Sequence, residues 1–278
     1  MTEAAIAAPY QLVSTRRGSM LVNTNDIYMG QSYLRYGECF EPELDALLRL
    51  LSFPGLVIDV GANMGVYAVP LAAELARQGR ALLALEPQPV IFQQLCANLA
   101  LNGLMNVTAL PYACGSQQGV LSFTAPDYRH KGNFGGVAFS AQGGFSAVVT
   151  APCYTLDHIV QEAQVGLIKI DVEGFELEVL KGAKNLLARS QPVLFVENDR
   201  VEKSAELIQW LLDHNYQLWW HITQLYNPNN FLANPKNIYA AEGSFNMLCF
   251  HRDRKVTVQG GVEITDASFH PLAEAVPA

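Results

Sequence analysis

The chain has 278 residues, half of them hydrophobic, a formal net charge of −8 and five cysteines. That length and apolar content suit one large domain, or one domain with extensions, and no apolar run reaches the ~20 residues of a bilayer span. An acidic chain without a Lys/Arg run lacks the basic face that phosphate backbones need, so a nucleic-acid partner is excluded as the main reading. The cysteines, at 39, 96, 114, 153 and 249, stand singly and read as reduced thiols rather than a metal or disulfide framework. The opening MTEAAIAAPYQL has no basic start or apolar core of a secretory signal, so a cytoplasmic location is expected.

In chain order, residues 10–13 and 20–22 flank an STRRG turn and predict a β-hairpin. Leu44, Leu47, Leu48 and Leu51 recur at helical spacing, predicting a helix over 41–51 with Pro42 in its first turn. Asp26, Tyr28 and Glu38, just before it, read as surface and packing residues beside the mouth of a site. LVIDVGANMG follows. Residues 56–58 are apolar without alternation, which predicts a strand buried on both faces. Gly61, Asn63 and Gly65 make a tight turn before a helix over 66–75. Such a turn gathers unpaired N–H groups where a ligand can reach bare backbone, at the carboxyl end of a parallel strand.

Two cofactor classes use a turn of this kind. The dinucleotide pattern GxGxxG, aligned on Gly61, puts Asn63 and Val66 where glycines belong. An acid–x–G–x–G–x–G turn, the S-adenosylmethionine loop, is matched by Asp59, Gly61 and Gly65, with Asn63 the best non-glycine candidate for a left-handed backbone. Residues 81–85 predict a second strand ending in Glu86, an acid placed to accept hydrogen bonds from both ribose hydroxyls of an adenosyl group. A helix over 90–101 and a third strand over 107–110 follow, and Ala113 just beyond is placed near an adenine.

Residues 119–124 and 147–151 predict strands around a long Gly-rich insert, in which Tyr128, Arg129, His130 and Asn133 either face a substrate or belong to a solvated loop. The stretch VGLIKIDVEGFELEVLKGA then predicts a strand over 167–170, with Asp171 and Glu173 at its end and a helix over 176–187. Two carboxylates with Lys169 at the mouth of a parallel sheet are costly to bury unpaired and mark a site. A fifth strand over 193–196 runs into Glu197, Asn198 and Asp199. A helix over 204–215 and strands over 216–223 and 245–251 complete the pattern. The loop between the last two strands offers His221, Tyr226, Asn227 and Asn230 to close on a substrate.

DVGANMG, EPQPVIFQQLCANLALN, the TLD before the fourth strand and IKIDVEGFELEVLKGA together resemble the FkbM-type methyltransferase family, over roughly residues 25–198. The resemblance implies a class I methyltransferase fold: a Rossmann-like, seven-stranded, mostly parallel sheet with helices on both faces and one antiparallel strand near the edge. It implies S-adenosylmethionine as donor and a hydroxyl of a sugar, glycan or natural product as acceptor. It places Asp59, Gly61, Asn63 and Gly65 at the methionine end of the cofactor and Glu86 at the ribose. The expected organisation is a hairpin-and-helix extension over 1–52, a cofactor-binding domain over 53–252 and a C-terminal extension over 253–278 whose end is disordered.

Transfer from a sulfonium needs an aligned nucleophile and a base, or a metal that lowers the hydroxyl's pKa. Asp171, Glu197 and Asn198, at adjacent strand ends, form an all-oxygen set suited to Mg²⁺ or another hard cation, by analogy with the metal-dependent catechol-type O-methyltransferases. The metal-free version takes Asp171, Glu173 or His221 as base, with Lys169 holding charge. An NAD-dependent oxidoreductase, opposed by Val66, and a non-catalytic cofactor-binding partner domain remain as other readings, and homo-oligomerisation stays open.

Overall fold

A computed structural model describes residues 6–136 and 148–273. The N-terminal hairpin pairs β1 (Tyr10–Thr15) with β2 (Gly18–Asn23). Two helices follow, α1 (Met29–Tyr36) and α2 (Glu41–Leu50). The apolar stretches then alternate with helices: β3 (Leu56–Val60), α3 (Ala68–Arg77), β4 (Leu82–Leu85), α4 (Pro89–Leu101) and β5 (Val107–Leu110). A small side sheet of β6 (Ala113–Cys114), β7 (Gly119–Thr124) and β8 (Val148–Tyr154) comes next, ordered β6-β8-β7. The main pattern resumes with α5 (Leu156–Val160), β9 (Val165–Ile170), α6 (Glu176–Lys181), α7 (Lys184–Ser190), β10 (Val193–Glu197) and α8 (Val201–Asp213). It closes with β11 (Tyr216–Gln224) and β12 (Gly243–His251).

The main sheet has seven strands in the order β11-β12-β10-β9-β3-β4-β5. β12 runs antiparallel to both β10 and β11, and the other pairings are parallel. This is the expected sheet, with its single reversed strand next to the edge. The strands are buried on both faces because their alternate residues feed two cores. Val57, Leu167 and Phe195 pack with α2, α3 and α4 on one side. Ile58, Ile168 and Leu194 pack with α5 to α8 on the other. Continuous apolar runs such as LVI and VLFV are what two covered faces require.

The order reverses at β3, from which the chain goes to β4 on one side and later to β9 on the other. The crevice of an open α/β sheet lies at the carboxyl ends flanking such a switch point. The segment after β12 is docked on the sheet: Ile264 donates its N–H to the Leu218 carbonyl, and Ile264 and His270 are buried. The expectation of a disordered C-terminal end falls on residues 274–278 and part of the Gly-rich insert on 137–147, both outside the described residues.

Candidate active site

The turn after β3 is built from conformations only certain residues tolerate. Gly61 has φ 78°, Asn63 φ 49° and Gly65 φ 95°. The Gly61 and Ala62 N–H groups both donate to the Leu85 carbonyl at 2.9 Å, which pins the turn to β4. Asn63 holds its left-handed backbone by accepting the Met64 N–H at 2.7 Å. Glu86, one residue past β4, accepts the Asn63 N–H at 2.9 Å on one oxygen and the Gln88 N–H at 2.8 Å on the other. Burial lifts its carboxyl to about 7, against the pull of those two backbone donors.

Across the switch point, the end of β9 supplies Lys169 and Asp171. Lys169 is buried, donates to the Gly61 carbonyl at 3.0 Å, and lies 3.2 Å from Asp59 and 3.3 Å from Asp171. Burial pulls the ammonium down, but the Asp171 and Asp59 charges outweigh it and hold it above the usual lysine range. Asp59 is fully buried beneath the turn. Glu173 has φ 57° and an ion pair with Arg200. Burial, then the Asp171 charge, lifts the Glu173 carboxyl to about 7.

Glu197, the last residue of β10, has one oxygen without a hydrogen-bond partner among the described residues. Burial first, then the Asp171, Glu173 and Asp199 charges, push its carboxyl well above the usual range. Single oxygens of Asp171, Glu173 and Glu197 lie within 4.8 Å of one another.

These groups open onto one cavity of about 250 Å³. Gly61, Asn63, Glu86, Lys169, Asp171, Glu173 and Glu197 all line it. Sequence spacing missed a second set of lining residues. Tyr67 donates its hydroxyl to Glu43 at 2.5 Å, and Thr223 donates to the other Glu43 oxygen at 3.0 Å. The Lys169 ammonium stands 4.8 Å from the Tyr67 ring centre. Glu43 and Tyr67 meet only because α2 packs on α3, and a glutamate in a helix's first turn reads from sequence as a dipole partner. With Asp199 and Glu242, seven carboxyl groups line the cavity against one cation, Lys169, among the described lining residues.

Five expected site residues lie elsewhere. Asp59 does not line the cavity, because it points into the sheet toward Lys169. Gly65 shapes the turn against Val69 and Leu95, and Ala113 is buried in β6. Asn198 is buried and turns its amide onto Ser204 at 2.9 Å and Met247 at 3.3 Å. The all-oxygen set expected from Asp171, Glu197 and Asn198 is therefore not assembled, and Glu173 stands where the amide was expected. His221 lies within the expected strand, β11, and packs edge-on against Phe195 away from the cavity, so it does not close on a substrate there.

The flanking loops divide in the same way. Tyr28 and Asn133 line the cavity. Tyr128 donates to Gln88, while Arg129 and His130 stay with the exposed Asp127. Asn227 donates to the buried Glu38, which also receives Arg16 and the Phe231 N–H. Tyr226 and Asn230 both donate to the Asn234 carbonyl, so this loop is tied to itself and to the hairpin.

A profile of the Methyltransferase FkbM domain matches residues 59–218, from the acid of the glycine turn into the start of β11. The chain belongs to the FkbM methyltransferase family. It is 29% identical over 176 residues to Methyltransferase sdnD of Sordaria araneosa, a match covering 53% of this chain and 67% of that protein. It is 32% identical over 141 residues to Hexuronic acid methyltransferase AglP of Haloferax volcanii, covering 50% of this chain and 52% of AglP. The chain thus spans about half the length of AglP. A crystal structure of methyltransferase FkbM from Methylobacillus flagellatus superposes with a TM-score of 0.46 at 18% identity, over 70% of this chain and 43% of that one. The FkbM domain contains both halves of the cavity floor, the glycine turn with Glu86 and the strand ends at Asp171 and Glu197. Among the described residues, no helix is long and apolar enough to cross a membrane.

Proposed function

We propose that this chain transfers the methyl group of S-adenosylmethionine to a hydroxyl of a sugar, glycan or natural-product acceptor. The observation that carries the reading is that the glycine turn, Glu86 and Asp171 line one cavity at the switch point. Residues 53–252 perform the reaction, with residues 6–52 and 253–273 packed on them as extensions. Glu86 keeps lone pairs for the ribose hydroxyls, since each oxygen takes only one backbone N–H. Gly61 and Asn63 present the turn to the methionine end. Lys169 fixes Asp171 from behind. As the acceptor oxygen bonds to the methyl carbon, the S–CH3 bond breaks, Asp171 takes the hydroxyl proton, and S-adenosylhomocysteine leaves. The similarity to AglP, a hexuronic acid methyltransferase, supports a sugar as acceptor.

Titration calorimetry and an acceptor panel test this reading. The protein is expected to bind S-adenosylmethionine and not NAD, and Glu86→Ala to weaken binding by about 1–3 kcal/mol. Asp171→Asn is expected to lower turnover to S-adenosylhomocysteine far more than cofactor affinity. NAD binding in place of S-adenosylmethionine would overturn it.

A second reading has the 4.8 Å span of Asp171, Glu173 and Glu197 in its favour. Three carboxylate oxygens at that spacing fit a hard divalent cation, which supplies Lewis-acid lowering of the hydroxyl's pKa when bound. Chelator that stops turnover while leaving cofactor binding intact selects this version. Chelator without effect leaves Asp171 as a direct base.

A further inference from the structure

Acidic groups outnumber cations on the cavity wall at the place where the cofactor reading puts a sulfonium. An added Cβ on Gly61 would stand 1.9 Å from the Asp171 carbonyl oxygen, so the end of β9 and the glycine turn share one wall. Asp171, Glu173 and Glu197 gather their oxygens on that wall within 4.8 Å. The cations nearby are already committed. Lys169 spends its ammonium on the Gly61 carbonyl, Asp59 and Asp171. Arg200 pairs with Glu173 and Asp199, and does not line the cavity. Glu197 is left with an oxygen that has neither a hydrogen-bond partner among the described residues nor access to water.

A wall of this kind responds to the one difference between the methyl donor and its product. S-adenosylmethionine carries a sulfonium cation, and loss of the methyl leaves a neutral thioether of nearly the same shape. Hydrogen bonds to ribose, adenine and the amino-acid end are common to both ligands, so they cancel in the comparison. The charge term does not cancel, and in a half-enclosed cavity it is screened less than on an open surface.

We propose that Asp171, Glu173 and Glu197 form a charge filter that holds the cationic donor and releases the neutral product. The filter rests on the cofactor reading above, and gives it a direction: each turnover removes the charge that held the cofactor. Product release is favoured by the chemistry itself.

Calorimetry on the full chain at pH 8.5, above the value of about 7 to which Glu173 is lifted, with chelator present, tests this with three probes: S-adenosylmethionine, S-adenosylhomocysteine and sinefungin, which carries an ammonium group where the donor has its sulfonium. S-adenosylmethionine and sinefungin are each expected to bind about tenfold or more tightly than S-adenosylhomocysteine, a difference of about 1.4 kcal/mol or more. Glu197→Gln and Asp171→Asn are each expected to shrink that ratio at least about threefold, or about 0.7 kcal/mol. S-adenosylhomocysteine affinity should stay as in the wild type, which also shows that the variants are folded. Product bound as tightly as donor by the wild type overturns the filter while leaving the cofactor reading standing. A ratio unmoved in both variants likewise overturns it. Binding of none of the three probes overturns both.

Discussion

At Gly61 the room beside the backbone belongs to the protein before it belongs to a ligand. The left-handed φ of 78° and the Asp171 carbonyl 1.9 Å from an added Cβ act together. Gly79 separates the two costs, because it has φ 66° but nothing within 4 Å of an added Cβ. Gly79→Ala is therefore expected to cost only the left-handed backbone penalty, about 1–2 kcal/mol. Gly61→Ala is expected to cost about 3 kcal/mol or more in denaturant unfolding, and to abolish S-adenosylmethionine binding by pushing the glycine turn away from the end of β9. Equal costs at the two positions would show that Asp171 yields freely. The residue types of this turn were legible in the sequence because backbone conformation selects them: Asn63 does sit in the left-handed region, and Glu86 does end up at the cavity. Side-chain direction was not legible. Glu197 and Asn198 are neighbours at one strand end, yet one lines the cavity and the other turns under α8 to Ser204. His221 falls within the strand read over 216–223, and its pairing with Asn246 leaves it outside the cavity that the loop reading offered it to.

Elements with an aliphatic stripe or run were read within a few residues of their ends, and those without one were missed. α1 buries Gly30, Ser32, Tyr33 and Tyr36, which carry no aliphatic period. The helix expected over 176–187 is two helices, α6 and α7. An added Cβ on Gly182 would meet the Gly115 carbonyl at 2.0 Å, so close packing on the side sheet sits at the break. Asp157 then accepts the Asn185 and Leu186 N–H groups at the start of α7. Neither partner is near in sequence, which is why periodicity ran through the break. The hairpin is docked by a device equally invisible to periodicity. Asn98 on α4 and Asn102 at its C-terminal cap, one turn apart, act as a surrogate strand for β2: Asn102 exchanges hydrogen bonds with Ser19, and Asn98 accepts the Leu21 N–H at 2.6 Å. Asn98 also donates to the Met64 carbonyl at 2.8 Å, joining hairpin and glycine turn. Asn98 is fully buried, so Asn98→Ala leaves backbone groups unpaired and is expected to cost about 2–4 kcal/mol. Cofactor affinity should fall with it, whereas Asn98→Asp should keep the Leu21 bond and lose the Met64 one. Unfolding midpoints and calorimetry on both variants check this, and unchanged cofactor affinity in both would mean that the turn stands without the hairpin.

For the molecule as a whole, the buried acids make apo-protein stability depend on pH in an unusual direction. Burial lifts Asp26 to about 6, Glu86 to about 7 and Glu173, with help from Asp171, to about 7. Glu197 too is held well above the usual carboxylate range, by burial and its acidic neighbours. In the unfolded chain these groups ionise near the ordinary carboxylate value, about 4. Between that value and about 7 the folded protein therefore keeps protons that the unfolded chain has released. Stability then falls as pH rises, by up to about 1.4 kcal/mol per pH unit for each such group. The contribution is fully present below the unfolded pKa, and is lost as pH climbs through the folded one. The apo-protein is thus expected to show a higher denaturant midpoint at pH 5.5 than at pH 8, and Glu86→Gln to flatten the slope. A bound sulfonium favours the ionised acids, so saturating S-adenosylmethionine should stabilise most at the alkaline end, and S-adenosylhomocysteine should not share that trend. A midpoint that rises from pH 5.5 to pH 8 without ligand would show that the cavity carboxyls are already ionised in the empty fold.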